Sequence, residues 1–351
     1  MRINQRFLNV TLTMVAAIFC VDAALIAQSE AINLVNGSPV RGTIQTFTAE
    51  KIVVSTNDGN KDVFPWNVRS IRYSGQNDLM RAITAFNDER FKACFDRIES
   101  ITEAPSRPLI KHELDFYKAM SAAKIALQGG SVTSDSAARL VSEFMKTHPQ
   151  SFRTYEILDT FGDLALFGGR LDAAIKQYEK TANGSWPKYR FLAKLKIGKA
   201  KLYAGDFPGA IEAFREAEKS ENTDDSAQQI KLIAKCLQAQ ALGMSGDVEG
   251  GKRLALSVIK NESSKNVELY AYAYNALGAC HQQAGETKQA IRAYLRTDLL
   301  FNLNPESHSE ALFQLGKLWE TAERTDRANR ARQKLSELYR NTYWALKQTR
   351  G

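Results

Sequence analysis

Residues 269–297, LYAYAYNALGACHQQAGETKQAIRAYLRT, read as two amphipathic helices joined by a tight turn. Tyr270, Tyr274, Leu277 and Ala279 mark the apolar side of the first helix; Ala290, Ile291, Ala293 and Tyr294 mark that of the second. Between them, Ala284-Gly285-Glu286-Thr287 interrupts the pattern. Gly278 and Ala290 are small where the helices must touch, because a larger side chain at a crossing point holds the axes apart. Tyr294 follows Ala290 by one helical turn and so shares its face.

The same spacing recurs along the chain. Gly169, Gly205, Gly246, Gly285 and Glu323 occupy the turn position at intervals of about 36 to 41 residues. In the first helix of each unit a small residue stands at Gly162, Gly198, Ala239, Gly278 or Gly316, and in the second helix at Ala174, Ala210, Gly251, Ala290 or Ala328. The aromatic one turn further on is Tyr178, Phe214 or Tyr294, with Ala255 and Arg332 in the other two units. Upstream, Ala82, Glu89 and Cys94 meet the same offsets, so a first hairpin is expected to begin near Leu79. Residues 109–127 and 136–146 read as a second, joined by Gly129-Gly130-Ser131. Pro149, Pro187 and Pro305 fall between units, where a proline ends one helix and helps start the next.

This small-glycine-alanine-aromatic order resembles the tetratricopeptide (TPR) repeat, whose period is about 34 residues and is stretched here. The resemblance implies a mainly α fold, a TPR-like solenoid of six or seven hairpins over residues 77–348, and a concave groove lined by the first helices that holds a protein or peptide partner. Relative to each small residue, the groove-facing positions include Glu156, Asp159 and Asp163, then Lys199 and Gln240. Tyr272, Asn275 and Gln282 follow, with Lys317 and Glu320 in the last unit. The Lys and Asn set with which some TPR proteins grip a terminal carboxylate is not found.

Ahead of the helices the pattern is different. Residues 31–74 are short runs rich in Val, Ile, Thr and aromatics, separated by Asn36-Gly37-Ser38, Thr48-Ala49-Glu50 and Asn57-Asp58-Gly59-Asn60. Strands are expected near 31–35, 40–47, 51–55, 60–64 and 68–73, with Gly42 bending the second. Five such strands resemble a small SH3-like or Sm-like β-barrel, here a structural cap or docking module. Residues 1–23 read as a signal peptide: Arg2 and Arg6, then the apolar run of residues 7–21, then Val21-Asp22-Ala23 suited to cleavage after Ala23. An uncleaved anchor is the alternative, and lipidation at Cys20 is disfavoured by Phe19. Export to the periplasm or cell envelope of a bacterium follows as an expectation.

Composition bounds the function. The chain has 351 residues, a net charge of +8, 44% hydrophobic and 25% charged residues, and eight prolines, which suits long helices. Basic and acidic residues alternate, as on a solvated helical surface, so no nucleic-acid partner is expected. Cys94, Cys236 and Cys280 have no short spacing, and His112, His148, His281 and His308 are scattered, so neither a disulfide framework nor a metal site is expected. Gly246 to Lys252 meets the G-x4-G-K part of a phosphate loop, but Arg253 stands where a hydroxyl should hold magnesium. No cofactor and no catalytic residue is assigned, and the expected activity is binding. Two other readings remain: an envelope-polymer enzyme using the acidic face of Glu156, Asp159 and Asp163, or an anionic-surface binder using one last helix, 325–348. Residues 323–351 carry eight Arg or Lys against three acids, which would suit a membrane or cell-wall surface, or simply a solvated cap.

Overall fold

The computed structural model describes residues 29–105, 107–219, 225–340 and 342–350. Residues 1–23, read as a signal peptide with Cys20 and a cleavage site after Ala23, lie outside the described residues. Those described fall into two compact units, one running to Ser121 and including Ser142–Thr154, the other holding Ala122–Val141 and everything from Tyr155.

The first unit opens with five strands, β1 (Glu30–Leu34), β2 (Val40–Phe47), β3 (Ile52–Thr56), β4 (Gly59–Val63) and β5 (Val68–Tyr73), in the order β4-β3-β2-β1-β5, each pair antiparallel. β2 passes from one partner to the other at Gly42: residues up to Gly42 pair with β1 and those from Thr43 pair with β3. A Cβ on Gly42 would lie 2.1 Å from the Ser55 carbonyl oxygen, so only glycine lets β3 approach at that bend. The expected closed barrel is corrected. β4 and β5 are the two ends of the sheet and share no ladder among the described residues, so the five strands form an open sheet. Each predicted strand is present within one or two residues, because adjacent hairpin partners are set by local turns; closure needs a pairing between the most distant strands.

Fifteen α-helices follow among the described residues. They are α1 (Asn77–Asn87), α2 (Phe91–Glu99), α3 (Pro108–Leu127), α4 (Ser134–Thr147), α5 (Thr154–Phe167), α6 (Leu171–Ala182), α7 (Pro187–Ala204) and α8 (Phe207–Glu218). Next come α9 (Asp225–Ser245), α10 (Val248–Asn261), α11 (Val267–Gln283), α12 (Thr287–Leu300), α13 (Pro305–Thr321), α14 (Thr325–Leu338) and α15 (Tyr343–Arg350). The first fourteen pair as seven hairpins, and α15 stands alone. The last helix, expected to be continuous over 325–348, is broken. Tyr339 ends α14 at φ −133°, and Thr342 restarts the chain by accepting the Ala345 amide on its hydroxyl at 3.3 Å.

Turn positions share one backbone conformation. Gly169, Gly205, Gly246 and Gly285 all have positive φ, and so do Glu89 and Glu323, the non-glycine residues that occupy the same register. At Glu323 a pair of hydrogen bonds closes the helix end, Glu323 N to Glu320 O at 2.9 Å and Arg324 N to Trp319 O at 2.8 Å, and the same pair recurs at Glu89, Gly169, Gly205 and Gly285. A side chain in the left-handed region costs about 1–2 kcal/mol, and glycine avoids it. Glu323→Gly is therefore expected to raise the urea midpoint, with a gain of about 1 kcal/mol; an unchanged or lower midpoint would contradict the strained turn.

The small residue of each first helix seats a side chain from its partner. A Cβ on Gly162 would lie 2.3 Å from the Tyr178 ring, one on Gly198 2.6 Å from Phe214, and one on Gly278 2.7 Å from Tyr294. So the repeat's aromatic lies flat against bare backbone, and its own Ala174, Ala210 or Ala290 is fully buried. The two units without the aromatic fill the seat otherwise. Arg332 lays its aliphatic stem on Gly316, and Cys280 packs where Gly243 and Gly251 leave room. Cys94 and Cys236 are likewise buried free thiols.

Candidate functional site

Each unit holds a buried polar cluster with several ionisable groups. In the first unit Glu113, fully buried on α3, accepts the Tyr73 hydroxyl at 2.6 Å and Arg153 Nη2 at 3.0 Å, with His112 Nδ1 at 3.2 Å. The Arg153 guanidinium lies over Phe116 and Phe152. Burial alone would raise the Glu113 pKa, but Arg153 and His112 outweigh it and hold the carboxyl down at about 2. His112 Nε2 meets Ser151 Oγ at 2.6 Å, so a serine, a histidine and a carboxylate stand in line, an order the sequence does not reveal. Ser151 Oγ also accepts the Arg153 amide at 2.9 Å, and Ser151 is 3% exposed. Every member is tied into the fold, and the cluster fastens the sheet to the helices around it.

The second unit holds the residues singled out for the groove. Asp159, Lys199, Gln240, Tyr272 and Asn275 are buried, not spread along an open face. Lys196 Nζ donates to Asp159 Oδ2 at 2.8 Å and to Asp163 at 2.7 and 2.9 Å, and Tyr178 OH donates to Asp163 at 2.8 Å. Lys199 Nζ donates to Glu306 Oε2 at 2.7 Å, and the hydroxyls of Tyr203 and Tyr272 donate to the same carboxylate at 2.8 and 3.2 Å. Gln240 Nε2 and Asn275 Nδ2 donate to the two oxygens of Glu310 at 2.5 and 3.2 Å. Of the remaining candidates, Glu156 and Gln282 are half-buried, Lys317 is exposed with its ammonium over Phe313, and exposed Glu320 pairs with Arg332.

The groove expectation is thus revised in this unit. α7 and α13 meet directly, although Lys199 and Glu306 are 107 residues apart, and the first helices enclose one another's polar side chains. α15 lies on the same side: the rings of Tyr343 and Tyr203 stack at 4.6 Å and 6°, and Tyr343 OH donates to the Tyr203 carbonyl at 3.1 Å. Of the apolar residues in the C-terminal stretch, Leu335 and Trp344 are buried, at 0% and 5% exposed, whereas Leu338 stays 54% exposed. Lys196, Tyr203, Glu306 and Glu310 are site residues that the sequence reading missed. Glu310 carried a signal, since it stands at the first groove-facing offset before Gly316, as Tyr272 does before Gly278. Lys196 and Glu306 lie off those offsets.

Electrostatics follow from burial. Glu310 is 2% exposed, and its pKa is pushed up to about 7 by burial, against the two amide hydrogen bonds and with Glu306 nearby. Burial alone would raise Glu306 and lower Lys199, yet their pairing reverses both. Asp159 is raised, by burial first, in spite of Lys196. A carboxyl whose folded pKa lies above its unfolded value of 4.5 stabilises the fold below that value and loses the contribution as pH rises through about 7. The Glu310 contribution is therefore expected to fall by about 3 kcal/mol between pH 4 and pH 8. The wild-type-minus-Glu310→Gln difference in unfolding free energy, measured by urea titration across that range, isolates it. A flat difference would show that Glu310 is solvated.

Beside the network lies a cavity of about 280 Å³. Its walls come from the ends of α3 and α5, from α7, and from the N-termini of α13 and α15. Leu127, Leu166, Phe167, Tyr343 and Trp344 form the apolar part; Asp163, Lys196, Lys199 and Glu306 form the charged part. The local chain places them: Asn304 caps α13 by accepting the Ser307 amide at 2.9 Å, with Pro305 in the first turn, which sets Glu306 at the cavity.

No family model matches the chain, and no curated protein sequence matches it. Solved structures do. A tetratricopeptide repeat protein from Parabacteroides merdae superposes with a TM-score of 0.55 at 12% identity, over 75% of this chain and 93% of that one. The helical array has a TPR-like fold. NprR in complex with its cognate peptide NprX matches the TPR-like chain equally well, with a TM-score of 0.55 at 12% identity over 78% of this chain and 83% of that one. A Rap protein complexed with Competence and Sporulation Factor gives 0.52 at 12% identity, over 76% of each chain.

Proposed function

We propose that this TPR-like protein is an exported interaction scaffold that holds a partner polypeptide, with the cavity beside α7 and α13 as the contact. The cavity itself carries the reading: about 280 Å³, walled by aromatic and aliphatic side chains, with a few charges fixed by internal hydrogen bonds. That is room for one or two residues of a peptide, held in place by polar groups that lose little freedom on binding. NprR with its peptide NprX supports the reading as a protein of the same fold that holds a peptide. Catalysis by the acidic face is the weaker reading, because Asp159 and Asp163 share the Lys196 ammonium, an arrangement that anchors the carboxylates.

Export rests on residues 1–23, and the mature chain is expected to begin at Ala24 when protein from source cells is sequenced from its N-terminus. Binding is tested with a random hexapeptide library passed over the immobilised full chain, retained peptides being eluted and sequenced. Leu127→Trp, which fills the cavity from its rim, is expected to reduce retention at least tenfold, whereas Leu256→Trp, at a position 51% exposed on α10, should leave it unchanged. Equal retention by both variants would place binding elsewhere and end this reading.

A further inference from the structure

Apart from Leu256, the exposed leucines described in the second unit gather in one place. Leu299, Leu300 and Leu303 are 66%, 64% and 77% exposed, at the end of α12 and in the loop after it. Leu338 ends α14 at the matching position, as far past Ala328 as Leu300 is past Ala290. His308 holds the two helix ends together: its ring nitrogens meet Asp298 Oδ1 at 2.8 Å and the Tyr339 hydroxyl at 2.7 Å, and those residues adjoin Leu299 and Leu338. Phe301 alone turns inward, stacking on Tyr274 at 5.5 Å and 13°, which fixes the loop and leaves its leucines outside. Cations stand behind the leucines at helical spacing. Arg292 and Arg296 precede Leu300 by two turns and one turn on α12, and Arg330 and Lys334 precede Leu338 in the same way on α14. At 1.5 Å per residue these charged positions lie about 6 and 12 Å behind the apolar tips. Lys334 pairs with Asp298, and Arg296 lies over the Tyr274 ring at 4.9 Å while staying exposed; Arg292, Arg296 and Arg330 have no acidic partner among the described residues. Over residues 292–303 and 330–340 six basic residues stand against two acids, Asp298 and Glu337.

We propose that this surface rests on a membrane containing anionic lipids, with Leu299, Leu300, Leu303 and Leu338 entering the boundary between headgroups and acyl chains and Arg292, Arg296 and Arg330 meeting the phosphates above them. Interfacial segments bury their apolar side chains about 5–10 Å deep, which matches the distance from these leucines back to the arginines. The end of α12 is prepared for a drier setting, because several of its last carbonyls are partnered: Phe301 N donates to Arg296 O and Thr297 O at 3.2 Å, and Asn302 Nδ2 donates to Asp298 O at 3.0 Å. A second copy of the chain is disfavoured as the occupant, since it would set the same excess of arginines against this one. The inference is independent of the cavity, and it gives the scaffold a surface to stand on.

Vesicle flotation of the full chain tests the proposal, with vesicles of phosphatidylethanolamine and about a quarter phosphatidylglycerol compared with phosphatidylcholine alone. Residues 1–23 are the same in every variant, so differences between variants report on the leucine surface. The wild type is expected to bind the anionic vesicles at least tenfold more tightly than the neutral ones. Leu299→Ser, Leu300→Ser and Leu303→Ser together should weaken that binding at least tenfold with the melting temperature kept, and Arg292→Gln with Arg296→Gln should weaken it and flatten its salt dependence. A second readout locates the contact: a fluorophore on Leu303→Cys is expected to be quenched by lipids brominated in their acyl chains, and one on Leu256→Cys is not. An unquenched probe at Leu303 would overturn the inference whatever the affinities. A quenched probe with equal affinity for both kinds of vesicle would overturn the part assigned to the arginines. A dimer that forms without vesicles and is abolished by the serine substitutions, with no binding to either vesicle, would overturn the membrane in favour of a second copy.

Discussion

Glu306→Ala is expected to lower the free energy of unfolding by about 3–5 kcal/mol, the range for removing one partner of a buried ion pair. Lys199 is 10% exposed on its side chain and donates to Glu306 at 2.7 Å and to the Tyr272 hydroxyl at 3.3 Å. Alanine strands that ammonium and removes the acceptor of two tyrosine hydroxyls at once. Urea unfolding of the full chain at pH 7 measures the loss, and Glu306→Ala combined with Lys199→Met is expected to recover much of it, since no charge is then left buried alone. A loss below about 1 kcal/mol would mean that Lys199 reaches water readily, and that the direct meeting of α7 with α13 does not persist in solution.

Tyr294→Ala is expected to cost a similar amount, about 3–5 kcal/mol. The ring is fully buried against Gly278, whose missing side chain is the seat it fills, so truncation leaves a hole that the rigid backbones of α11 and α12 cannot close. Tyr294→Phe is the informative companion. The Tyr294 hydroxyl is buried without a hydrogen-bond partner, and Phe214 fills the corresponding seat on Gly198 with no hydroxyl at all. Phenylalanine is therefore expected to be neutral or to stabilise by about 1 kcal/mol. Thermal unfolding of both variants checks the pair; a large loss for Tyr294→Phe would show that the hydroxyl has a partner in solution.

Those two substitutions probe different ranges of chain separation, and the range explains what was legible. Gly278, Gly285, Ala290 and Tyr294 lie within one hairpin, so their spacing alone specifies which residue turns, which is small and which covers it. The reading extended even to Glu89 and Glu323, where the register demands a left-handed residue and the chain supplies glutamate. The break at Thr342 was missed because its cap is a single hydroxyl-to-amide bond within an otherwise helix-friendly run. The candidate site was legible in part: Lys199, Tyr272, Asn275 and Gln240 belong to it, but as members of an internal network whose carboxylates, Glu306 and Glu310, come from another hairpin.

Local spacing in the chain was sufficient for the hairpins, their turns, the five strands and the side chains that pack helix on helix, because each depends on residues a few positions apart. Only the tertiary structure decided that β4 and β5 stay apart as sheet ends, that α7 meets α13, and that Tyr343 of α15 stacks on Tyr203 across 140 residues of chain. Such contacts depend on the small rotation between successive hairpins, summed over several of them, and no single stretch of sequence encodes that sum.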